Sequence, residues 1–348
     1  MYQLPARSRS LSRHLGLLLA LGAIIAPPSH AGIVPPDTSY ALAGDQVFPE
    51  SVAIDQASGR FWVGSVKDGT IFTGIVGNDA PVEVFSPAGA DGRNIVTGVA
   101  FSDGRLIVLG RQSGQAFVYD AKTARLLGKT QNGLAPAETF LNDLVVTANG
   151  DIYITDSVAA VLWKFNIQNN HYTLERFIDF SGTIVRYRTA EGADGINVNG
   201  ITASGDGKYL IIGKRNDNAL FRIRVADKSI TRIDVAPHVL STADGLVLSG
   251  QTLYAVENIP GSVETLTMSH DFTQVLVSRE TMHASFAFPT GAALCGSRLL
   301  VVNSQFNSLG SPAAVVGTTP PVLPFRVTDM AVPGKQAAGA AAGGCVDQ

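Results

Sequence analysis

Six positions spaced almost evenly along the chain carry side chains that present oxygen atoms. They are Glu50, Thr97, Asn142, Asn199, Asp244 and Thr290, at intervals of 47, 45, 57, 45 and 46 residues. Carboxylate and amide oxygens are the ligands that a hard cation such as Ca²⁺ prefers, and two carboxylates match its charge. We therefore interpret Glu50, Asn142, Asn199 and Asp244 as ligands of one divalent cation, with Thr97 and Thr290 binding waters beside it.

The alternative is that Asn and Asp only mark turns before strands, as they often do. Two carboxylates facing each other would repel without a cation, which favours a metal site. Zinc is disfavoured, because neither His nor Cys occupies an equivalent position. The chain also lacks the G-x-S-x-G, H-E-x-x-H, P-loop and G-x-G-x-x-G motifs, so its motifs indicate no serine hydrolase, zinc protease or nucleotide enzyme.

The elements that would position these residues are short strands in a repeat. From Val96 the chain reads VTGVAF, RLIVLG, QAFVY and ARLLGK, separated by turns rich in Gly, Asp and Ser. Four strands in a period of about 45 residues are typical of a β-propeller blade. We predict an all-β, six-bladed β-propeller of four-stranded antiparallel blades. Its ring closes with a segment such as 324–332, and a seven-bladed ring or two β domains remain alternatives.

Four blade openings resemble those of the senescence marker protein and gluconolactonase family, which includes regucalcin-like lactonases. The segments are FPESVAID from Phe48, FLNDLVVTANGDIYITDS from Phe140, VNGITASGDGKYL from Val198 and ADGLVLSGQTLY from Ala243. More distant relatives are diisopropylfluorophosphatase and the paraoxonases. The resemblance spans about residues 48–310. It implies that Glu50, Asn142, Asn199 and Asp244 bind a catalytic Ca²⁺ or another divalent ion, and that Asp244 is the catalytic residue.

One departure from the family concerns the substrate. Its sugar lactonases carry a substrate-binding Arg two residues before the first Asn, where this chain has Phe140. Phe48 and Phe288 hold the equivalent position in two other blades. We therefore expect a less polar lactone or ester than a sugar lactone at this mouth, unless the three rings pack between blades.

Other residues are expected on the loops around the same face of the ring. His238 and His283 lie in loops entering first strands, whereas His171 is expected on the opposite face. The remaining rim candidates are Asp156, Lys214, Arg215, Glu257 and Asn258. The long interval places extra residues at 180–198, an irregular loop or a lid that carries Arg186, Tyr187 and Arg188 over the substrate.

The first 31 residues have the pattern of a secretory signal peptide. Arg7, Arg9 and Arg13 precede an apolar run over 15–26, and Ser29-His30-Ala31 forms a cleavage site. The run is shorter than the roughly 20 residues a membrane helix needs, although an N-terminal anchor is the alternative. We predict a propeller over residues 32–333 and a Gly/Ala-rich tail over 334–348. In an oxidising compartment Cys295 and Cys345 would pair, or would remain two unrelated thiols.

The combined expectation is a secreted or periplasmic, Ca²⁺-dependent lactonase or esterase that acts as a monomer. The alternatives are a non-enzymatic propeller in which the metal is structural, and the chemistry of the strictosidine-synthase relatives. The chain holds 26 basic and 29 acidic residues, a net charge of −3. Without a basic block it is not expected to bind nucleic acid. No later apolar run is long enough to span a membrane.

Overall fold

The computed structural model describes residues 1, 37–189, 195–241, 243–308, 320–333 and 345. Within this part of the chain, 24 strands form six four-stranded sheets, and neighbouring strands in each sheet are antiparallel. This confirms the predicted six-bladed β-propeller. Short 3-10 turns occur at Ala90–Gly92, Arg215–Asp217 and Phe306–Ser308. Among the described helices, none has the length and apolar character needed to cross a membrane.

The first three sheets in chain order after the opening strand are blades 1 to 3. The opening strand is β1 (Thr38–Leu42). Blade 1 contains β2 (Pro49–Ile54), β3 (Arg60–Ser65), β4 (Ile71–Ile75) and β5 (Glu83–Ser86). Blade 2 contains β6 (Val99–Ser102), β7 (Arg105–Leu109), β8 (Gln115–Asp120) and β9 (Leu126–Gln131). Blade 3 contains β10 (Leu141–Val146), β11 (Ile152–Asp156), β12 (Val161–Gln168) and β13 (His171–Asp179).

Blades 4 to 6 complete the ring. Blade 4 contains β14 (Val198–Ala203), β15 (Tyr209–Lys214), β16 (Ala219–Arg224) and β17 (Ile230–Arg232). Blade 5 contains β18 (Ala243–Ser249), β19 (Thr252–Glu257), β20 (Ser262–Met268) and β21 (Val275–Met282). Blade 6 contains β22 (Pro289–Cys295), β23 (Arg298–Asn303), β24 (Phe325–Ala331) and the opening strand β1.

The hydrophobic core lies between the blades. Each of the six buried apolar clusters is built mainly from two neighbouring blades. Strand β7 shows why its sequence is almost continuously apolar: Leu106 and Val108 face the cluster shared with blade 1, whereas Ile107 and Leu109 face the one shared with blade 3. Side chains alternate across a strand, so a strand covered on both faces must be apolar at every position.

The first strands of the blades form the inner ring. Each contacts the first strands of the two adjacent blades, in the order β2, β6, β10, β14, β18, β22 and back to β2. The equivalent residues at their starts therefore surround one central channel. This arrangement brings together positions that are 45 to 57 residues apart along the chain.

Ring closure uses both ends of the propeller. The predicted closing segment 324–332 supplies β24, which pairs with β23 on one side and with β1 on the other. The contribution of β1 as the outermost strand of blade 6 was not predicted. Cys295 and Cys345 form a disulfide, and the Cys345 N–H donates to Gln56 O at 3.0 Å. The predicted signal segment 1–31 lies outside the described residues except for Met1, as does the tail 334–348 except for Cys345.

Candidate functional site

The candidate ligands stand at irregular points of the inner strands. In five blades the pairing between first and second strands shifts register at this point, for example between Pro49 and Val52 in blade 1 and between Ala243 and Leu246 in blade 5. Glu50 and Asp244 lie inside these two shifts. A bulge turns side chains away from the ordinary pleat, and here it accompanies the oxygen-bearing residues on the channel.

One small pocket, with a cavity volume of about 80 Å³, is lined by all four candidate ligands. Glu50, Asn142, Asn199 and Asp244 are each at most 9% exposed. Two positions further along each strand, six aliphatic side chains form an apolar floor: Val52, Val99, Leu144, Ile201, Leu246 and Ala292. The oxygen atoms of the candidate ligands therefore lie in a polar layer next to a hydrophobic one.

Burial disfavours the charged forms of the carboxyl groups at the pocket, so their pKa values are raised. The pKa of Glu50 is raised from its ordinary 4.5 to about 8, first by burial and then by the neighbouring charge of Asp244, while Arg111 opposes the shift. Burial also raises the pKa of Asp244 from 3.8 to about 6, against lowering by Arg215, Asn258 and Asn199. Such a site favours a cation, because a positive charge would stabilise both carboxylates.

A third carboxyl group, Asp143, lines the same pocket and was not among the predicted residues. Burial raises its pKa from 3.8 to about 7, although hydrogen bonds from backbone N–H groups oppose this. Those donors are Leu144 at 2.8 Å and Ile201 at 3.2 Å, one to each carboxyl oxygen. Asp143 is thus held rigidly by its own strand and by the first strand of blade 4.

The two threonines lie at contacts between neighbouring blades. Thr97 Oγ1 donates to Leu141 O at 2.7 Å, and Thr290 Oγ1 donates to Glu50 O at 2.7 Å. Each hydroxyl therefore connects its inner strand to the next blade's backbone, because the strands approach closely at the channel. The expectation that both hydroxyls also bind waters stays a prediction, because a hydroxyl that donates to a carbonyl can still accept a hydrogen bond.

None of the three phenylalanines lines the pocket. Phe48 is 1% exposed and packs on Phe325, with ring centroids 4.9 Å apart. Phe288 is half-buried against Phe306. Phe140 is 6% exposed and lies beneath the guanidinium of Arg111. Phe48 thus packs between blades, as the alternative interpretation proposes. The expectation of an apolar mouth therefore loses its main support.

Two histidines and one acid of the predicted rim lie in other environments. His283 Nε2 lies 3.0 Å from Asp37 Oδ2 and its Nδ1 lies 2.7 Å from Ser285 Oγ, so it joins the start of β1 to the loop before blade 6. His238 is half-buried in the loop before β18 and does not line the pocket. The buried Asp156 accepts the backbone N–H groups of Phe140 and Ala159, each at 2.8 Å, and so shapes blade 3.

The other rim candidates fall into two groups. Asn258 and Arg215 belong to the site: Asn258 Nδ2 donates to Asp244 Oδ2 at 2.9 Å, and Arg215 Nε donates to Asn258 Oδ1 at 3.3 Å. Lys214 is paired with Asp217 at 2.7 Å. Glu257 Oε1 accepts the Ser241 N–H at 2.6 Å, and burial raises its pKa to about 7.

The predicted lid is described over 180–189 and 195–198, with 190–194 outside the described residues. Tyr187 stacks on Phe180 and donates its hydroxyl to Asp156 O at 2.7 Å. Arg188 forms an ion pair with Asp217, and Arg186 is exposed. His171 begins β13, the outer strand of blade 3, away from the pocket, as expected.

Two more residues at the site, Arg111 and Ser157, became evident only from strand register. Each floor residue pairs with one residue in the second strand of its blade. The residue three positions after that partner is, in blades 1 to 6 respectively, Val66, Arg111, Ser157, Arg215, Asn258 and Ser304. At this position Ser157 Oγ accepts a hydrogen bond from Asn142 Nδ2 at 2.8 Å, as Asn258 supports Asp244. The signal was present in the aligned repeats, but the mixture of residue types concealed it.

The donor set fits a hard divalent cation. It offers carboxylate oxygens from Glu50 and Asp244 and amide oxygens from Asn142 and Asn199, with Asp143 adding negative charge. Within the described part of the chain, no three His, Cys, Asp or Glu side chains cluster as a metal site by themselves. Amide oxygens would therefore have to complete the ligand set, a combination suited to Ca²⁺ rather than to zinc.

Comparison with known proteins supports the architecture. No family model and no curated protein matches the chain. A gluconolactonase from Xanthomonas campestris is 16% identical with a TM-score of 0.57, covering 87% of this chain and 92% of its own. The calcium-binding protein regucalcin from Agrobacterium tumefaciens is also 16% identical with a TM-score of 0.57, covering 85% and 94%.

A virginiamycin B lyase from Staphylococcus aureus is 14% identical with a TM-score of 0.55, covering 85% of this chain and 99% of its own. The three solved structures have names that denote different activities. At these identities the likeness shows the fold alone, so membership of the gluconolactonase family remains a suggestion. Function depends on the residues of the site rather than on the fold.

Proposed function

We propose that this chain is an exported hydrolase that depends on a divalent cation, preferably Ca²⁺, and cleaves a lactone or ester. The observation that carries the proposal is the convergence of Glu50, Asn142, Asn199 and Asp244 in one pocket. The similarity in fold to a gluconolactonase and to a calcium-binding regucalcin is consistent with it. A cation held by these four residues would polarise the substrate's carbonyl oxygen and stabilise the oxyanion that develops there.

The protein's own contribution is to hold its polar groups in place. Asn258 and Asn199 hydrogen-bond the carboxyl group of Asp244. We assign Asp244 to the chemistry, as base toward an attacking water or as nucleophile toward the carbonyl carbon. A carboxylate that also binds a cation is a weak base, so Asp143 in the same pocket is a candidate to share the proton. The aliphatic floor limits water beneath these groups.

Export is part of the proposal. Its support is the signal-like segment 1–31 together with the Cys295–Cys345 disulfide, since disulfides persist mainly in oxidising compartments. We also propose that the propeller works as a monomer on a small substrate. A substrate less polar than a sugar lactone was expected from three phenylalanines, and their positions outside the pocket remove that argument.

The test combines metal analysis with a substrate panel. Purified protein should contain about one tightly bound divalent ion, and should hydrolyse a lactone, aryl ester or organophosphate only until chelator is added. Asp244→Asn should reduce kcat at least 100-fold while circular dichroism stays unchanged. Asp206→Asn, in an exposed turn of blade 4, is the matched control.

Two outcomes would count against the proposal. Full activity of Asp244→Asn would remove that residue from the chemistry. A melting temperature that depends on the cation, combined with no turnover across the whole panel, would instead support the non-enzymatic propeller.

A further inference from the structure

We infer that Arg111 is a substrate-binding residue whose guanidinium receives a carboxylate carried by the lactone or ester, beside the cluster of oxygen ligands. The inference rests on the proposed function and specifies its substrate class.

The position of Arg111 is one that serves the site in other blades. It lies three residues beyond Val108, the partner of floor residue Val99. Ser157 and Asn258 hold the same position in blades 3 and 5, where they contact Asn142 and Asp244. In blade 2, Thr97 holds the ligand position just before β6, so a cationic side chain occupies one of the two sectors whose ligand position carries neither a carboxylate nor an amide.

The residues around Arg111 orient its side chain but leave its Nε without a hydrogen-bond partner. Its guanidinium carbon lies 4.5 Å from the centroid of the Phe140 ring, which supports its flat face. Its Nε is shielded from solvent and has no hydrogen-bond partner among the described residues. The charge of Glu50 acts on its guanidinium. The backbone of Arg111 is left-handed, with φ of 55°, a conformation that non-glycine residues adopt at a cost and often at functional sites.

Three arginines that are buried more deeply than the half-buried Arg111 have more hydrogen-bond partners. Arg93 Nε donates to Gly69 O at 2.7 Å, and Arg298 Nε donates to Asp329 Oδ1 at 2.7 Å. Arg222 shares an unpartnered Nε, but its other two nitrogens donate to Asp271 O and Thr231 Oγ1. Buried polar groups nearly always find partners. Arg111 therefore differs from these structural arginines in the way expected of a group that pairs with a ligand.

The chemistry of guanidinium defines the ligand. It is always charged and presents paired N–H donors in a plane, which suits a carboxylate with two parallel hydrogen bonds. An ester or lactone with a carboxylate a few bonds from its carbonyl would place one end at Arg111 and the other at Asp244. The rival explanation is that Arg111 only offsets the charge of Glu50, and the experiment must separate the two.

The first measurement is binding, which requires no turnover. Titration calorimetry with glutarate, and with its neutral diamide as a probe, is carried out on the full chain with and without Ca²⁺. The wild type should bind glutarate, and Arg111→Met should weaken this at least tenfold while leaving the affinity for the diamide unchanged. Arg111→Lys should be intermediate, because it keeps the charge but loses the paired donors. Arg125→Met, an exposed arginine of the same blade, is the matched control.

The second measurement is selectivity in catalysis. The ratio of kcat/KM for mono-4-nitrophenyl glutarate to that for 4-nitrophenyl pentanoate should fall at least tenfold in Arg111→Met. Glutarate binding that depends on Arg111, without any hydrolysis by the wild type, would preserve this inference and refute the proposed function. Hydrolysis by the wild type, with the same kcat/KM ratio in Arg111→Met, would refute this inference and leave the proposed function standing.

Two further results would overturn the inference. One is a wild type that binds no glutarate. The other is an Arg111→Met variant that loses affinity for Ca²⁺ while its glutarate affinity at saturating Ca²⁺ is retained, since that is the behaviour of a counter-charge for Glu50. If Arg111→Met does not fold by circular dichroism, Arg111→Lys decides between the same outcomes.

Discussion

At the residue scale, one amide holds the candidate catalytic carboxyl. Asn258 donates to Asp244 Oδ2 at 2.9 Å and to Pro289 O at 2.6 Å, which ties Asp244 to the neighbouring blade. Its own oxygen accepts from Arg215, so the amide orientation is determined by its partners. Residues that orient a ligand in this way commonly matter almost as much as the ligand itself.

We therefore expect Asn258→Ala to weaken Ca²⁺ binding by about 10–100-fold, because Asp244 loses the donor that fixes its carboxyl. Competition with a chelating dye measures the affinity. Asn78→Ala, in an exposed turn of blade 1, should leave it unchanged. Equal affinity of wild type and Asn258→Ala would show that Asp244 is oriented without the amide or is not a ligand.

The pH dependence of stability follows from the raised pKa values. Glu50 titrates near 8 in the folded chain against an ordinary 4.5, and Asp143 and Asp244 near 7 and 6 against 3.8. The folded state thus binds more protons than the unfolded state between these values. The free energy of unfolding must then fall as pH rises from about 4 to 8.

In chelator, the melting temperature should consequently decrease between pH 5 and pH 8, and added Ca²⁺ should restore more stability at pH 8 than at pH 5. Glu50→Gln should flatten part of the decrease, since an amide does not titrate. Glu138→Gln, an exposed carboxylate, should not. A melting temperature in chelator that is constant or rises over this range would contradict the expectation.

At the scale of the element, glycine allows the inner strands of neighbouring blades to approach one another closely. The residue after the ligand position is Gly98, Gly200, Gly245 or Gly291 in four blades. A Cβ on Gly245 would lie 2.6 Å from Thr290 O and 2.9 Å from the Cα of Gly291. Both are backbone atoms, which cannot move aside as a flexible side chain would. The glycines thus set the width of the channel.

We expect Gly245→Ala to lower the free energy of unfolding by about 1–3 kcal/mol, the usual cost of overpacking a close contact. Chemical denaturation provides the measurement. In Gly205→Ala the added Cβ meets nothing within 4 Å, so this variant should stay near wild type. A Gly245→Ala variant as stable as Gly205→Ala would mean that the inner strands can separate at little cost.

At the scale of the whole molecule, one tyrosine forms hydrogen bonds to both the first and the last blade. Tyr40 in β1 donates its hydroxyl to Asp329 Oδ2 at 2.8 Å and accepts the Gly77 N–H at 2.7 Å. Asp329 lies in β24 of blade 6, and Gly77 follows β4 of blade 1. Removal of this hydroxyl would leave a buried carboxylate and a backbone donor short of a partner.

Tyr40→Phe should therefore cost about 1–3 kcal/mol of stability, the penalty for buried polar groups left unsatisfied. Tyr153→Phe is the matched control, because the hydroxyl of Tyr153 is buried without a partner among the described residues. That substitution should be neutral or stabilising. If both variants unfold at the same denaturant concentration as wild type, the bridge contributes nothing to closure.

Much of the fold was predictable because its signals are local and repeated. Turn residues, strand length and apolar runs recur every 45 to 57 residues, which specified six blades and aligned Glu50, Asn142, Asn199 and Asp244. Repetition also turned four weak individual signals into a candidate site. The site residues without a common type across blades, Arg111 and Ser157, could not be found this way.

What the sequence by itself determined was the number of blades and the equivalent polar positions at their inner strands, because each blade encodes the same local pattern. The tertiary structure decided which residues meet across the ring. It paired β1 with β24, and it moved Phe48 into the core. It placed Asp143 in the pocket of the candidate ligands and Arg111 where its charge acts on Glu50. These contacts join residues far apart along the chain, and strand register and ring closure, rather than local propensity, determine them.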